Sequence, residues 1–293
     1  MIPEVRKPHE CLILAYHRIN ESRQDALSVN TRLFRRHLEH LLETGYRNVT
    51  LEEVAARIRC KEPSPGRCFA LTFDDGYRDN YTDALPVLKD LGCQATFFLA
   101  ADYIGANRPF PWDVGRFAWV GPADYAMDER EVGALVDAGM SLGSHTCSHP
   151  LLATLDAPRV WHEVEQSKVT LERRFGVSVR TFCYPAGSLN DGVVACVARA
   201  GYVAGVVTPP RPGIPETLFT LKRVGVYHGT TLPRLRLRLN PLYSRVRGII
   251  WEWKERRSIP FTQSSTPVAR HHIQRTREPG GNERPGGALE VLA

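Results

Sequence analysis

The chain has 293 residues, a formal net charge of +6, and 43% apolar against 24% charged residues. That balance is ordinary for a globular protein and excludes collagen-like, low-complexity and wholly disordered chains. Seven cysteines, scattered mostly in apolar runs without a Cys-x-x-Cys, argue for buried reduced thiols and against a disulfide frame or zinc knuckle. The first apolar run, residues 11–16, is too short for a signal core, and no run is long enough to span a bilayer, so a cytoplasmic location is expected.

In chain order, Leu12 to Tyr16 is a buried-strand pattern running into His17, followed by a polar loop over residues 18–30. Asn30 or Thr31 opens a helix whose Leu33, Phe34, His37, Leu38, Leu41 and Leu42 recur at helical spacing, with Gly45 as the stop. Thr50 caps a second helix. A strand over residues 68–73 then ends in Asp74-Asp75-Gly76. Asp79 to Asp90 reads as a helix that Pro86 kinks, and Ala95 to Ala100 as a strand. Residues 101–127 form a long loop carrying Tyr103, Phe110, Trp112, Phe117, Trp119 and Tyr125, which either wall a substrate cleft or plug a barrel rim. Further helices are expected over residues 128–138, 156–175 and 191–200, and strands over 141–145, 179–184, 203–207 and 218–227. Buried strands alternating with helices predict an α/β fold, a distorted (β/α) barrel of about seven mostly parallel strands. The chemistry-bearing residues fall at the carboxyl ends of those strands, where such folds place their sites.

Two adjacent carboxylates at the mouth of a buried strand are costly unless a metal or a proton transfer uses them, although Asp-Gly is also a common turn pair. His145-x-x-x-His149 puts two imidazoles within reach of one ion, on a helical turn or a strand-to-turn. A carboxylate from another strand completes a two-His, one-carboxylate set with open positions for water and substrate.

Thr72-Phe73-Asp74-Asp75-Gly76, His145-Thr146-Cys147-Ser148-His149 and Phe182-Cys183-Tyr184-Pro185-Ala186-Gly187 together resemble the polysaccharide deacetylase family, the NodB-homology domain of carbohydrate esterase family 4. Tyr16-His17 resembles the circularly shifted subgroup acting on poly-N-acetylglucosamine. The resemblance implies that Asp75, His145 and His149 hold one divalent metal, with zinc first and cobalt, nickel or iron as alternatives. It implies Asp74 as general base and His17 as the acid that protonates the leaving amine. His228 is the alternative acid, since unpermuted members carry theirs on the last strand. Tyr184, Pro185, Ala186, Trp112 and Tyr77 are expected on the oxyanion and substrate side. Two departures stand out. No arginine opens the third motif to orient Asp74, and Ala186 replaces the usual aromatic.

The implied reaction is metal-dependent removal of N-acetyl groups from an N-acetylhexosamine glycan. An O-acetyl esterase or amidase, or a silent glycan-binding protein, is the alternative. The deacetylase domain is expected over residues 1–228, a basic amphipathic segment over 229–259 and a disordered tail over 260–293. Residues 232–257 mix Leu, Ile and Trp with arginine, so they either pack on the barrel or lie on an anionic membrane. Nothing points to nucleic acid, and the sequence leaves the oligomeric state open.

Overall fold

A computed structural model of the chain describes residues 11–21, 25–62, 66–116, 121–208 and 214–239. The strands β1 (Cys11–Tyr16), β2 (Cys68–Phe73), β3 (Ala95–Leu99), β4 (Ser141–Ser144), β5 (Thr181–Cys183) and β6 (Ala204–Val207) pair in parallel with their sequence neighbours. The ring is joined by one stretch of chain. Its first half, β7 (Leu221–Lys222), pairs with β6, and its second, β8 (Val224–Gly225), pairs with β1. Only Arg223 separates them. The result is a nearly closed barrel of seven staves, with helices outside.

Strand alternation sorts the side chains. Cys11, Ile13, Cys68, Ala70, Phe98, Cys183 and Val206 belong to an inner apolar cluster. Leu14, Tyr16, Phe69, Leu71, Phe73, Phe97 and Phe182 belong to an outer layer beneath the helices. Phe73 stacks on Phe97 at 4.8 Å and on Tyr16 at 5.6 Å, tying three staves together. Each fully buried ring contributes about 1.5–3 kcal/mol. One helix packs differently: α2 (Leu51–Cys60) sends Leu51, Val54 and Ala55 into the inner cluster and so plugs the amino end of the barrel. Thr50 and Glu53 form its reciprocal capping box. The site is therefore confined to the carboxyl end.

The remaining helices follow their sequence signals. Asn30 caps α1 (Thr31–Glu43), accepting from the Leu33 N–H. The polar loop after β1 holds a short parallel pairing, Arg18–Ile19 with Ser28–Val29, where no strand was expected. The proline-bearing helix becomes a π-turn (Asn80–Ala84) followed by α3 (Leu85–Asp90). Pro86 cannot donate to the preceding turn, and the chain widens there instead of only kinking. Then come α4 (Glu129–Asp137), α5 (Ala157–Trp161), a second π-turn (His162–Gln166), α6 (Ser167–Phe175), α7 (Asp191–Arg199) and α8 (Leu232–Leu239). Among the described residues no helix is long and apolar enough to cross a membrane. The described part of the basic segment, α8, packs back: Leu235 is buried and Arg236 donates to the His40 ring at 3.1 Å. The rest of that segment and the expected tail lie outside the described residues.

His37, a helix residue without an expected role, is a buried pin. Its Nε2–H donates to the Thr230 carbonyl at 2.8 Å, and its Nδ1 accepts from the Tyr16 hydroxyl at 3.3 Å. Burial pushes the ring down to about 4 from an ordinary 6.5, against the opposing Thr230 bond. The unfolded chain then binds a proton below about pH 6.5 that the folded chain refuses until about pH 4, so this residue withdraws stability as pH falls through that window. Denaturant midpoints of H37Q should fall less steeply than wild type between those pH values; parallel slopes would refute the assignment. At Gly205 an added Cβ would lie 2.6 Å from the Phe219 carbonyl and 3.0 Å from the Tyr184 ring. G205A should therefore cost about 1–3 kcal/mol in urea titrations.

Candidate active site

Alternation along β1 and β2 turns both His17 and Asp74 inward at the carboxyl end of the barrel. The next residue, Asp75, would face outward in a continuing strand. Instead it adopts φ 72° and Gly76 follows at φ 82°, so the chain turns and Asp75 comes into the same cleft. Asp is among the side chains that tolerate this region. Gly76 suits the turn, because a side chain is strained at φ 82° and its Cβ would also press on the end of the Leu99 side chain at 2.7 Å.

The second half of the site follows β4. The His145 N–H donates to the Leu99 carbonyl at 2.9 Å. The chain then leaves the strand in a turn with Thr146 at φ 69° and His149 at φ 62°. This is the strand-to-turn arrangement, not a helical one. Nε2 of His145 and Nε2 of His149 each lie 3.4 Å from Oδ1 of Asp75. Nδ1 of His145 sits 2.8 Å from the Cys183 carbonyl. A carbonyl can only accept, so Nδ1 carries the proton and Nε2 is left as the ligand atom. Burial pushes His149 down to about 4, which keeps that ring neutral. Burial would raise Asp75, but the imidazoles beside it outweigh burial and hold the carboxyl low.

The donor set suits a borderline-hard divalent ion with open coordination positions. A second group, Asp74, His145 and Cys183, also brings its donor atoms within 4.8 Å of one another. It is the poorer set, because the Asp74 carboxylate is already taken and burial pushes the Cys183 thiol up.

What takes Asp74 is Arg223, the residue that joins the barrel. Its Nη1 and Nη2 donate to Oδ1 and Oδ2 of Asp74 at 2.7 and 2.6 Å. The guanidinium also reaches the Thr72 hydroxyl at 2.9 Å, the Thr208 hydroxyl at 2.8 Å and Cys183 Sγ at 3.1 Å. Burial alone would raise the Asp74 carboxyl; the paired guanidinium reverses the sign and holds it below the usual carboxylate range. The arginine missing from the third motif is thus supplied from the last strand, beside Cys183 of that motif. The available signal was an arginine inside the apolar stretch Leu221–Val226, at an inward position.

His17 Nε2 lies 3.8 Å from Oδ2 of Asp74, and its side chain keeps 15% exposure. His228 is exposed, with its backbone N–H on the Ala26 carbonyl. Trp112 stacks on the His149 ring at 4.0 Å between centroids. Within the long loop, Phe110 joins Tyr77 in a buried cluster with Tyr103 and Trp112 against it, so the loop both plugs the rim and borders the site. Phe117 and Trp119 lie outside the described residues.

Two expected substrate residues are corrected. Tyr77 is fully buried, its hydroxyl on Asp113 at 2.7 Å and its ring 4.0 Å beneath the Arg18 guanidinium. Tyr184 alternates outward and packs edge-on against Phe182 in the outer layer. Neither can touch a glycan. Pro185 is also buried, whereas Ala186 is exposed at φ 50°. Arg18, not foreseen, is buried beside His17. It binds Asp113, and Asp124 at 2.8 Å, which anchors the Trp112 loop to the end of β1.

Residues 61–205 match the model of the polysaccharide deacetylase family. The chain belongs to that family. It is 29% identical over 227 residues to YxkH of Bacillus subtilis, named as a polysaccharide deacetylase, covering 77% of this chain and 75% of that protein. It is 36% identical over 135 residues to a chitin deacetylase of a Pestalotiopsis species, covering 46% of this chain and 39% of that enzyme. Against the poly-beta-1,6-N-acetyl-D-glucosamine N-deacetylase of Escherichia coli K12 the identity is 30% over 92 residues, 30% of this chain and only 14% of that protein. Among solved structures, a polysaccharide deacetylase from Bacillus cereus superposes with a TM-score of 0.64 at 26% identity, covering 78% of this chain and 69% of that one. The Streptococcus pyogenes deacetylase PplD shares the fold, with a TM-score of 0.66 at 23% identity, over 82% of this chain and all of that one. As a deacetylase-family member, the chain is a hydrolase.

R223K keeps the charge but loses the two-pronged grip on Asp74. It should fold, with kcat reduced about tenfold or more. R223M leaves a buried carboxylate unpaired and should cost about 3–5 kcal/mol of stability in denaturant titrations. Wild-type kcat in R223K would refute the orienting role.

Proposed function

We propose that the chain is a metal-dependent N-deacetylase of an N-acetylhexosamine-containing glycan, releasing acetate and a free amine. The observation that carries this reading is the placement of an ionised, guanidinium-paired Asp74 between His17 and the Asp75, His145, His149 set. The relatives named for chitin and poly-N-acetylglucosamine support the substrate class.

A divalent ion held by Asp75, His145 and His149 supplies Lewis-acid polarisation when bound, with zinc the first expectation from two imidazoles and a carboxylate. The chain's own residues do the rest. Asp74, kept ionised by Arg223, accepts the proton of the attacking water. The water oxygen bonds to the acetyl carbon. Nε2–H of His17 donates to the sugar nitrogen as the C–N bond breaks, so acetate and amine leave with the proton count balanced. His17 is preferred over His228 because it faces Asp74 while His228 is exposed. Trp112, stacked on His149, offers the sugar an aromatic edge beside the acetyl site. Ala186, an exposed residue following the strand whose Cys183 carbonyl fixes His145, marks the candidate oxyanion side.

The test is acetate release from N-acetylglucosamine oligomers by metal-stripped protein with zinc or cobalt restored. Release should need the metal and vanish in D74N. H17A should lose the amide reaction yet retain hydrolysis of 4-nitrophenyl acetate, whose leaving group needs no proton. Release from acetylxylan but not from the amino-sugar oligomers would replace this reading with an O-acetyl esterase.

A further inference from the structure

Two helices leave α-helical hydrogen bonding for one turn each, at Asn80–Ala84 and at His162–Gln166. A π-turn accommodates an extra residue at an energetic cost and is found frequently at functional sites. Both carry a polar side chain onto a loop that bears a site residue. Asn80 is fully buried, and its Nδ2 donates to the His17 carbonyl at 2.8 Å and to Asp79 Oδ1 at 2.9 Å. Glu163 accepts three bonds. The Cys147 and Ser148 N–H groups both reach its Oε2 at 2.9 Å, and the Ser148 hydroxyl reaches its Oε1 at 2.6 Å.

Those three donors lie between the two histidines of the metal set. The turn they occupy is strained, since Thr146 is β-branched and sits at φ 69° while His149 sits at φ 62°. A turn of this shape persists only when its surroundings over-determine it. The Thr146 hydroxyl takes the His149 N–H at 2.9 Å from within the turn. From outside, Glu163 holds its middle. Each helical residue advances the side chain by about 100°, so one residue fewer would swing Glu163 off the turn or pull Val160 and Leu171 out of the outer layer. The π-turn satisfies both.

We propose that Glu163 is a positioning residue, aimed by its π-turn to hold the His145–His149 turn in ligating shape, and that Asn80 does the same for His17 from the other π-turn. This rests on the metal-site reading above. Residues that orient metal ligands typically change affinity 10–100-fold when removed.

The test measures zinc affinity of the metal-stripped full chain by chelator competition, with thermal melts alongside. E163A should raise the zinc Kd by about 10–100-fold and E163Q by less, because a glutamine oxygen still accepts from the two N–H groups. S148A should weaken zinc binding alone but add nothing in the E163A background. N80A should leave the zinc Kd at the wild-type value. It should lower kcat on N-acetylglucosamine oligomers while sparing 4-nitrophenyl acetate. Wild-type protein that binds no zinc overturns the reading of the site. Wild-type protein that binds zinc, with E163A binding it equally, overturns the Glu163 role alone. If E163A does not fold, E163Q and S148A carry the same comparison. Equal loss on both substrates in N80A overturns the Asn80 role.

Discussion

One ion pair, Arg223 with Asp74, is at once the joint of the barrel and the core of its site. The backbone of Arg223 passes between the half-strand on β6 and the half-strand on β1. Its side chain lies inside the ring thus formed, with 1% exposure. A guanidinium taken out of water is costly unless every donor finds an acceptor. Here a carboxylate, two hydroxyls and a sulfur surround it. The same pairing holds the Asp74 carboxyl below its usual range where burial alone would raise it. Closure of the fold and ionisation of Asp74 therefore depend on the same contact.

From that centre the site divides into parts delivered by different devices. Strand alternation delivers Asp74 and His17. Left-handed turns deliver Asp75 and His149, which no straight strand could bring together. Helices outside the barrel reach the site through single polar side chains, Glu163 to the His145–His149 turn and Asn80 to the His17 carbonyl. Arg18 ties the aromatic loop to β1, so the Trp112 ring meets His149. The amino end of the barrel, by contrast, is filled with apolar side chains and plugged by α2. Polarity is thus segregated by end, with the paired charges buried at the carboxyl end beside His17, whose side chain keeps 15% exposure.

Much of this was legible from residues. The strand and helix order followed from apolar runs and caps, because parallel strands buried on both faces read as continuous hydrophobic runs. Asp74, Asp75, His145 and His149 stood out because carboxylates and imidazoles at strand ends have few structural uses. Tyr77 and Tyr184 were misplaced for a related reason. Proximity in sequence to a motif says nothing about which face a side chain takes. Tyr184 is one residue beyond an inward cysteine and so points out, while Tyr77 lies past the turn and is buried under Arg18.

The sequence by itself determined the α/β alternation and the carboxyl-end location of the site, because these follow from local periodicity; side-chain chemistry singled out His145, His149 and the Asp74-Asp75 pair, and the family resemblance picked Asp75 as the third candidate metal ligand. Tertiary structure alone decided which arginine serves Asp74, since Arg223 lies 149 positions away and meets it only when the ring closes. It also decided that His17, not His228, faces Asp74, and that two helices widen into π-turns. Those outcomes depend on packing one element against another, and a hydrogen-bonding partner chosen across the barrel leaves no periodic trace in the chain that supplies it.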